Sequence, residues 1–171
     1  MRLHLPRRRG ATWLERMVAL ILFGVFLAAF LDRVSYYQEH AEKMEMELTV
    51  RNMRTGLRYK IADLIMNNRL PEMATLADEN PINWLEQKPA NYLGEFDGAP
   101  AEASSGSWYF DRRNRQLVYT INHRRHFEPS DGQDFSVRYQ AVRRISPAQT
   151  RNSAQEAWVS LAPVRDFRWQ P

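Results

Sequence analysis

Arg7-Arg8-Arg9-Gly10-Ala11-Thr12-Trp13-Leu14-Glu15-Arg16 precedes fifteen residues without a charge, Met17 to Leu31, and Asp32-Arg33 closes the run. As a helix those fifteen rise about 22 Å, short of a hydrocarbon core of about 30 Å. Starting the helix at Ala11 makes it long enough to span, but places Glu15 and Arg16 inside it. A carboxylate there costs about 2–3 kcal/mol, so it requires a partner or a task. Leu, Ile, Phe, Val and Ala still dominate, and Arg16 can snorkel to the near interface.

Outward from this stretch, charge sets the topology. The 171 residues carry 24 Lys+Arg against 20 Asp+Glu, a net of +4. Arg2, Arg7, Arg8 and Arg9 stand in the first ten residues without an acid, so everything after Gly10 balances at twenty of each sign. The basic excess therefore predicts a cytoplasmic N-terminus and an exported remainder rather than a nucleic-acid partner. The absence of Cys excludes disulfides, thiolate metal sites and a Cys nucleophile. A cleaved secretory signal finds only a poor cleavage site in Ala28-Ala29-Phe30. An uncleaved signal anchor fits the hydropathy but gives Glu15 no purpose.

Residues 7–31 resemble the class III leader and first helix of type IV pilins and type II secretion pseudopilins. The resemblance implies a cut between Gly10 and Ala11 by the prepilin peptidase, N-methylation of Ala11, and Glu15 as the acid at the fifth mature position. Such a buried carboxylate, neutralised by the terminal ammonium of a neighbouring subunit, would set the axial register of assembly. Gly24 falls where many pilins soften the helix. Ala11 in place of Phe or Met, Arg16 after the Glu, and Asp32 in place of a Pro depart from the pattern. Arg16 could itself neutralise Glu15, and Asp32 implies a less kinked helix. The partners implied are the prepilin peptidase, other pilin or pseudopilin subunits and the bacterial inner membrane, with the head in the periplasm. No cofactor and no nucleic acid are expected.

The helical period continues beyond the membrane. Val34, Tyr37, Ala41, Met44, Leu48, Val50, Met53, Leu57, Ile61, Leu64 and Ile65 recur at three- and four-residue steps among polar residues. Glu39 and Lys43 form a favourable i, i+4 pair, Gly56 reads as a bend, and Asn67-Asn68 before Pro71 end the run. A helix over about 12–68 would be roughly 85 Å long. Met44, Met46, Met53 and Met66 read as core filler rather than a binding face.

Residues 71–106 are punctuated by Pro71, Pro81, Pro89 and Pro100, with short helical turns at Leu76 and Ile82 to Leu85 docking Trp84. From 107 the period becomes two. Strands are expected over 107–111 and 116–122, joined by a turn at Arg112 to Arg115, then over 134–145 and 156–161. The fold class is α+β: a long N-terminal helix packed on a three- to four-stranded antiparallel sheet. Its regions are a leader over 1–10, a membrane helix over 11–33, an amphipathic continuation over 34–70 and a head over 71–171, with loops over 71–106 and sheet over 107–162. The Ser107-Trp-Tyr-Phe-Asp111 run with Leu117-Val-Tyr119 resembles pilin-like heads of secretion and mannose-sensitive hemagglutinin pilus systems.

Chemistry-bearing clusters are few. His123 and His126 with Glu128 are the one grouping that suggests a metal, but strand spacing points the two rings apart, and a solvated basic turn is the better reading. Glu128 to Asp134 has only two Asp and no EF-hand pattern, so it reads as a turn rather than a Ca²⁺ loop. Arg112, Arg113, Arg115, Arg124 and Arg125 with Tyr109 and Tyr119 could form a basic aromatic patch facing acidic partners or solvent. No phosphate loop, nucleophile elbow or zincin motif occurs. No enzyme is expected. The missing Cys pair argues against a major pilin with a disulfide-closed loop. The alternative role is an uncleaved membrane anchor carrying a periplasmic binding domain.

Overall fold

The computed structural model describes residues 12–101, 103–129, 135–145 and 157–170. It separates into two units, Met1–Gln38 and Glu39–Pro171. Helix α1, Trp13–Met66, supplies the first unit and opens the second. No Pro interrupts it.

In the first unit the large apolar side chains from Trp13 to Leu31 are exposed, Phe26 at 71%. Burying such a side chain is worth about 1.5–3 kcal/mol, so this stretch is unsuited to water. It contains one window long and apolar enough to cross a membrane, none of it buried within the chain.

In the second unit α1 turns one face inward through Met46, Val50, Met53, Leu57 and Leu64. Counting back from Met46 at helical steps, the same face reaches Glu42 and Glu39, both buried. The opposite face keeps Met44 and Leu48 exposed. The expected stripe through Ala41, Met44 and Leu48 is therefore corrected to one two residues out of phase. Two of the four Met expected as filler, Met46 and Met53, are in the core, whereas Met44 and Met66 are exposed.

The helix stops in a Schellman turn. Asn68 takes a left-handed φ of 55°, its N–H donates to Ile65 O, and Arg69 N–H donates to Leu64 O at 2.8 Å. A first 3-10 helix, Leu70–Ala77, follows, then a second, Pro81–Trp84. The second is capped by Asn80, whose side chain accepts from Ile82 N–H at 3.1 Å. Gly56 is a contact point rather than a bend: a Cβ there would lie 2.0 Å from Trp84 O.

Five strands form the main sheet in the order β1-β2-β3-β5-β6: β1 Tyr92–Phe96, β2 Ser107–Asp111, β3 Gln116–Thr120, β5 Ser136–Ile145 and β6 Ala157–Pro163. A second, two-stranded sheet pairs β4, Phe127–Glu128, with β7, Arg168–Trp169. The expectation of helix plus mainly antiparallel sheet holds, with three corrections. Strand β1 lies in the region expected to be loops, and pairs with β2 in parallel through a shifted register between Tyr92 and Glu95. Gly94, with φ of 122°, disguises it as a turn. Sheet structure also continues past residue 162, to Trp169. Trp108, Phe110, Leu117, Tyr119, Val137 and Tyr139 form the sheet side of the core, with Leu76, Ile82 and Trp84 closing it.

Candidate functional site

Gly10 and Ala11 lie outside the described residues. Glu15 is described, in the first turn of α1. Thr12 N–H donates to Glu15 Oε2 at 2.6 Å, and Glu15 N–H donates to Thr12 Oγ1 at 3.3 Å. This is a reciprocal capping box, Thr-x-x-Glu, which satisfies two amides that a helix start otherwise leaves orphaned. The pattern was legible in the sequence, but the apolar run that follows drew the reading toward assembly. Arg16 donates its backbone N–H to Thr12 O at 3.2 Å. Further along this unit, the Arg33 guanidinium stands over both Tyr36 and Tyr37, 5.6 and 5.7 Å from the ring centres.

The polar centre of the second unit is one that sequence reasoning missed. Glu39 and Glu42 stand one helical turn apart and are 1% and 9% exposed. Glu42 Oε1 accepts from Tyr119 Oη at 3.1 Å and Asn122 N–H at 2.7 Å; Oε2 accepts from His123 N–H at 2.9 Å and faces His123 Nδ1 at 2.6 Å. Glu39 Oε1 accepts from His126 N–H at 2.8 Å and the Trp169 indole N–H at 3.0 Å, while Oε2 faces His126 Nδ1 at 2.8 Å. With backbone amides already donating to each carboxylate, the facing Nδ1 takes the donor role, which fixes both ring tautomers.

The two spacings match: Glu-x-x-Glu on the helix meets His-x-x-His on the segment after β3. His123 and His126 both turn Nδ1 toward a buried carboxylate of α1. They are latched to the helix, and their rings stay partly exposed. Among the described residues no three or more His, Asp or Glu gather as metal ligands. Lys43, expected to pair with Glu39, instead donates to Trp169 O at 2.7 Å and approaches Glu47 at 4.0 Å. The latch ties β7 to α1 at two points.

Burial pushes the Glu39 carboxyl up, but the hydrogen bonds from the His126 ring, the His126 amide and the Trp169 indole outweigh it and hold the group below the usual carboxylate range. Tyr119 is pushed far above the ordinary phenol range by burial and then by the Glu42 charge. Burial also raises Tyr139 to about 12.

The other sequence-predicted clusters separate. Tyr109 and Tyr119 are buried on opposite faces of the sheet, facing Val118 and Trp108 in the register, so they cannot share a surface patch with arginines. Arg112 pairs with Asp97 at 3.0 Å and Arg115 with Asp78. Of the Glu128–Asp134 turn, residues 130–134 lie outside the described residues, and Glu128 in β4 sits 3.8 Å from Arg168 Nη1. A cleft of about 360 Å³ beside Tyr59 and Leu64 has its cations already engaged, Lys60 by Glu79 at 2.9 Å and Arg69 by Glu72 at 2.5 Å. The chain matches no family model, no curated protein and no solved structure.

Proposed function

We propose that this chain is a membrane-anchored, pilin-like subunit, a minor pseudopilin of a type II secretion or type IV pilus assembly, with its head in the periplasm. The observation that carries the reading is the start of the chain: an acid-free basic leader ending at Gly10, then Ala11 and Glu15, then an apolar helix whose large side chains are exposed. Prepilin peptidase would cut after Gly10 and methylate Ala11. Glu15, set in an apolar helix, would meet the terminal ammonium of the next subunit and select one register. One further feature supports assembly through the helix. Met44 and Leu48 are exposed on the face of α1 away from the head core, as a helix packing against other helices requires. The role is structural rather than enzymatic.

One observation favours the alternative, an uncleaved anchor bearing a binding domain. The capping box gives Glu15 a local task that needs no second subunit. Mass spectrometry of the N-terminus, in hosts with and without the prepilin peptidase, separates the two. A peptidase-dependent, methylated Ala11 is expected; an intact Met1 or a cut beyond Ala29 overturns the assembly role. Glu15→Ala should leave insertion intact and prevent incorporation into a filament. Glu15→Gln restores part of the cap without the charge, so failure of that variant as well assigns the effect to the charge.

A further inference from the structure

One side of α1 in the first unit runs from aromatic carbon to a cation. Phe26, Phe30, Arg33 and Tyr37 follow one another at steps of three and four, so they share a face. Phe26 and Phe30 are exposed, as is Tyr37 at 60%. The Arg33 guanidinium stands over the rings of both Tyr36 and Tyr37, which meet edge to face with centres 5.8 Å apart. Ring faces attract a cation but fill none of its N–H donors. No carboxylate pairs with Arg33 among the described residues, and Asp32, turned about 100° away round the helix, is engaged elsewhere. The two tyrosines hold Arg33 in place and leave its fork to an outside acceptor.

Position along the helix supplies the class of acceptor. The uncharged run ends at Leu31, two residues before Arg33. Arg33 follows Trp13, itself exposed, by twenty residues, a rise of about 30 Å. That rise equals the hydrocarbon core of a bilayer, about 30 Å. With Trp13 at one interface, Arg33 falls at the other, at the level of the lipid phosphates, where Tyr and Trp rings also concentrate.

We propose that Arg33, held against Tyr36 and Tyr37, binds the phosphodiester of an anionic phospholipid in the leaflet that α1 leaves toward Glu39. The guanidinium donates to two phosphate oxygens through its fork, the tyrosine rings lie at headgroup level, and Phe30 meets the acyl chains below. An anionic headgroup is favoured over a zwitterionic one, whose own cation would oppose Arg33. This inference rests on α1 spanning a membrane, and on neither cleavage nor assembly.

The chain has no Cys, so Ser35→Cys gives a single site for a nitroxide, two residues beyond Arg33. Full-length protein is reconstituted in phosphatidylcholine vesicles holding a minority of phosphatidylglycerol, and the phosphorus relaxation of each lipid is read by nuclear magnetic resonance. The nitroxide relaxes only nearby phosphates, so lipids drawn to the basic leader, a bilayer's width away, do not contribute. Per molecule, phosphatidylglycerol should be relaxed about fivefold more than phosphatidylcholine, the preference of one Arg for an anionic surface. Arg33→Gln should bring the two to parity, replacing Tyr36 and Tyr37 together by Leu should lower the preference about twofold, and Arg51→Gln should leave it unchanged. A second nitroxide, at Phe23→Cys within the uncharged run, tests the premise: it should be open to oxygen and closed to a water-soluble nickel complex. Access to nickel overturns the span and the lipid site together. With that label shielded, the lipid site alone is overturned by equal relaxation of the two lipids, by a preference that survives Arg33→Gln, or by equal loss in Arg51→Gln. It is also overturned if inorganic phosphate abolishes the preference where chloride of equal ionic strength does not, which would assign the fork to a soluble phosphate.

Discussion

Helix α1 holds glutamates in two settings. Glu15 sits in the first turn of an apolar stretch whose side chains find no cover within the chain. Glu39 and Glu42 sit where the same helix enters a folded head, and both disappear from solvent. The apolar part of the helix is exposed and two of its charges are buried, the reverse of the usual arrangement. What decides is the supply of partners. The head offers Glu39 and Glu42 backbone amides, an indole, a phenol and two imidazoles, enough to replace water at every carboxylate oxygen. Among the described residues Glu15 has only its own first turn, where Thr12 is its partner.

The largest effect should follow from removing an anchor of the latch. Glu42→Ala leaves the Asn122 and His123 amides and the Tyr119 hydroxyl without an acceptor, and should destabilise the head by about 3–5 kcal/mol in thermal unfolding followed by circular dichroism. A loss below about 1 kcal/mol would mean that water replaces the carboxylate and that the two settings hardly differ.

Gly56→Ala should come next. Its Cβ meets the Trp84 carbonyl oxygen, so the variant should lose about 1–3 kcal/mol even though Ala is the better helix former. A stabilised variant would show that the second 3-10 helix yields easily.

The pH dependence is smaller and has a defined sign. Glu39 has a lowered folded pKa, so its contribution is complete above the unfolded value of about 4.3 and is lost as pH falls through the folded one. Glu39→Gln should be less stable at neutral pH and flatter in acid. Tyr119 has a raised folded pKa, so stability should also decline as pH rises above about 10, where the unfolded phenol ionises, and Tyr119→Phe should remove that decline.

The smallest effect on stability sharpens the contrast most. Leu48→Ser, on the exposed face of α1, should change head stability by less than about 0.5 kcal/mol while reducing co-assembly with other subunits. Met53→Ala, in the core, should cost about 2–5 kcal/mol in the same unfolding assay.

Much of the architecture was legible because it rests on local patterns. An unbroken three-and-four period without Pro specifies a helix, Asn67-Asn68 before Pro71 specifies its end, and period two from Ser107 specifies strands. The errors along the helix share one cause. Between residues 37 and 50 the helix is apolar on two opposite faces, and periodicity cannot say which of them meets the sheet. Choosing Met44 and Leu48 over Met46 and Val50 hid the fact that the buried face runs back to Glu39 and Glu42. Extending the phase from Met53 and Leu57 would have placed both acids inside, and the matching His-x-x-His would then have been their partner. Strand β1 was hidden by Gly94 and by a parallel pairing that no hairpin turn announces.

The sequence by itself determined the local matters: the course of the long helix, four strands of the main sheet, and the apolar stretch after Glu15 that is long enough to cross a membrane. Each depends on residues within a few positions of one another. Only the tertiary structure decided that Glu39 and Glu42 reach His126 and His123, that Gly56 makes room for Trp84, and that β1 joins the sheet. Those contacts join positions 28 to 87 residues apart for the helix, and β1 pairs without a hairpin. Their energy comes from close packing and from the pairing of polar groups, which must outweigh the cost of desolvating them and exists only once both partners have been brought together.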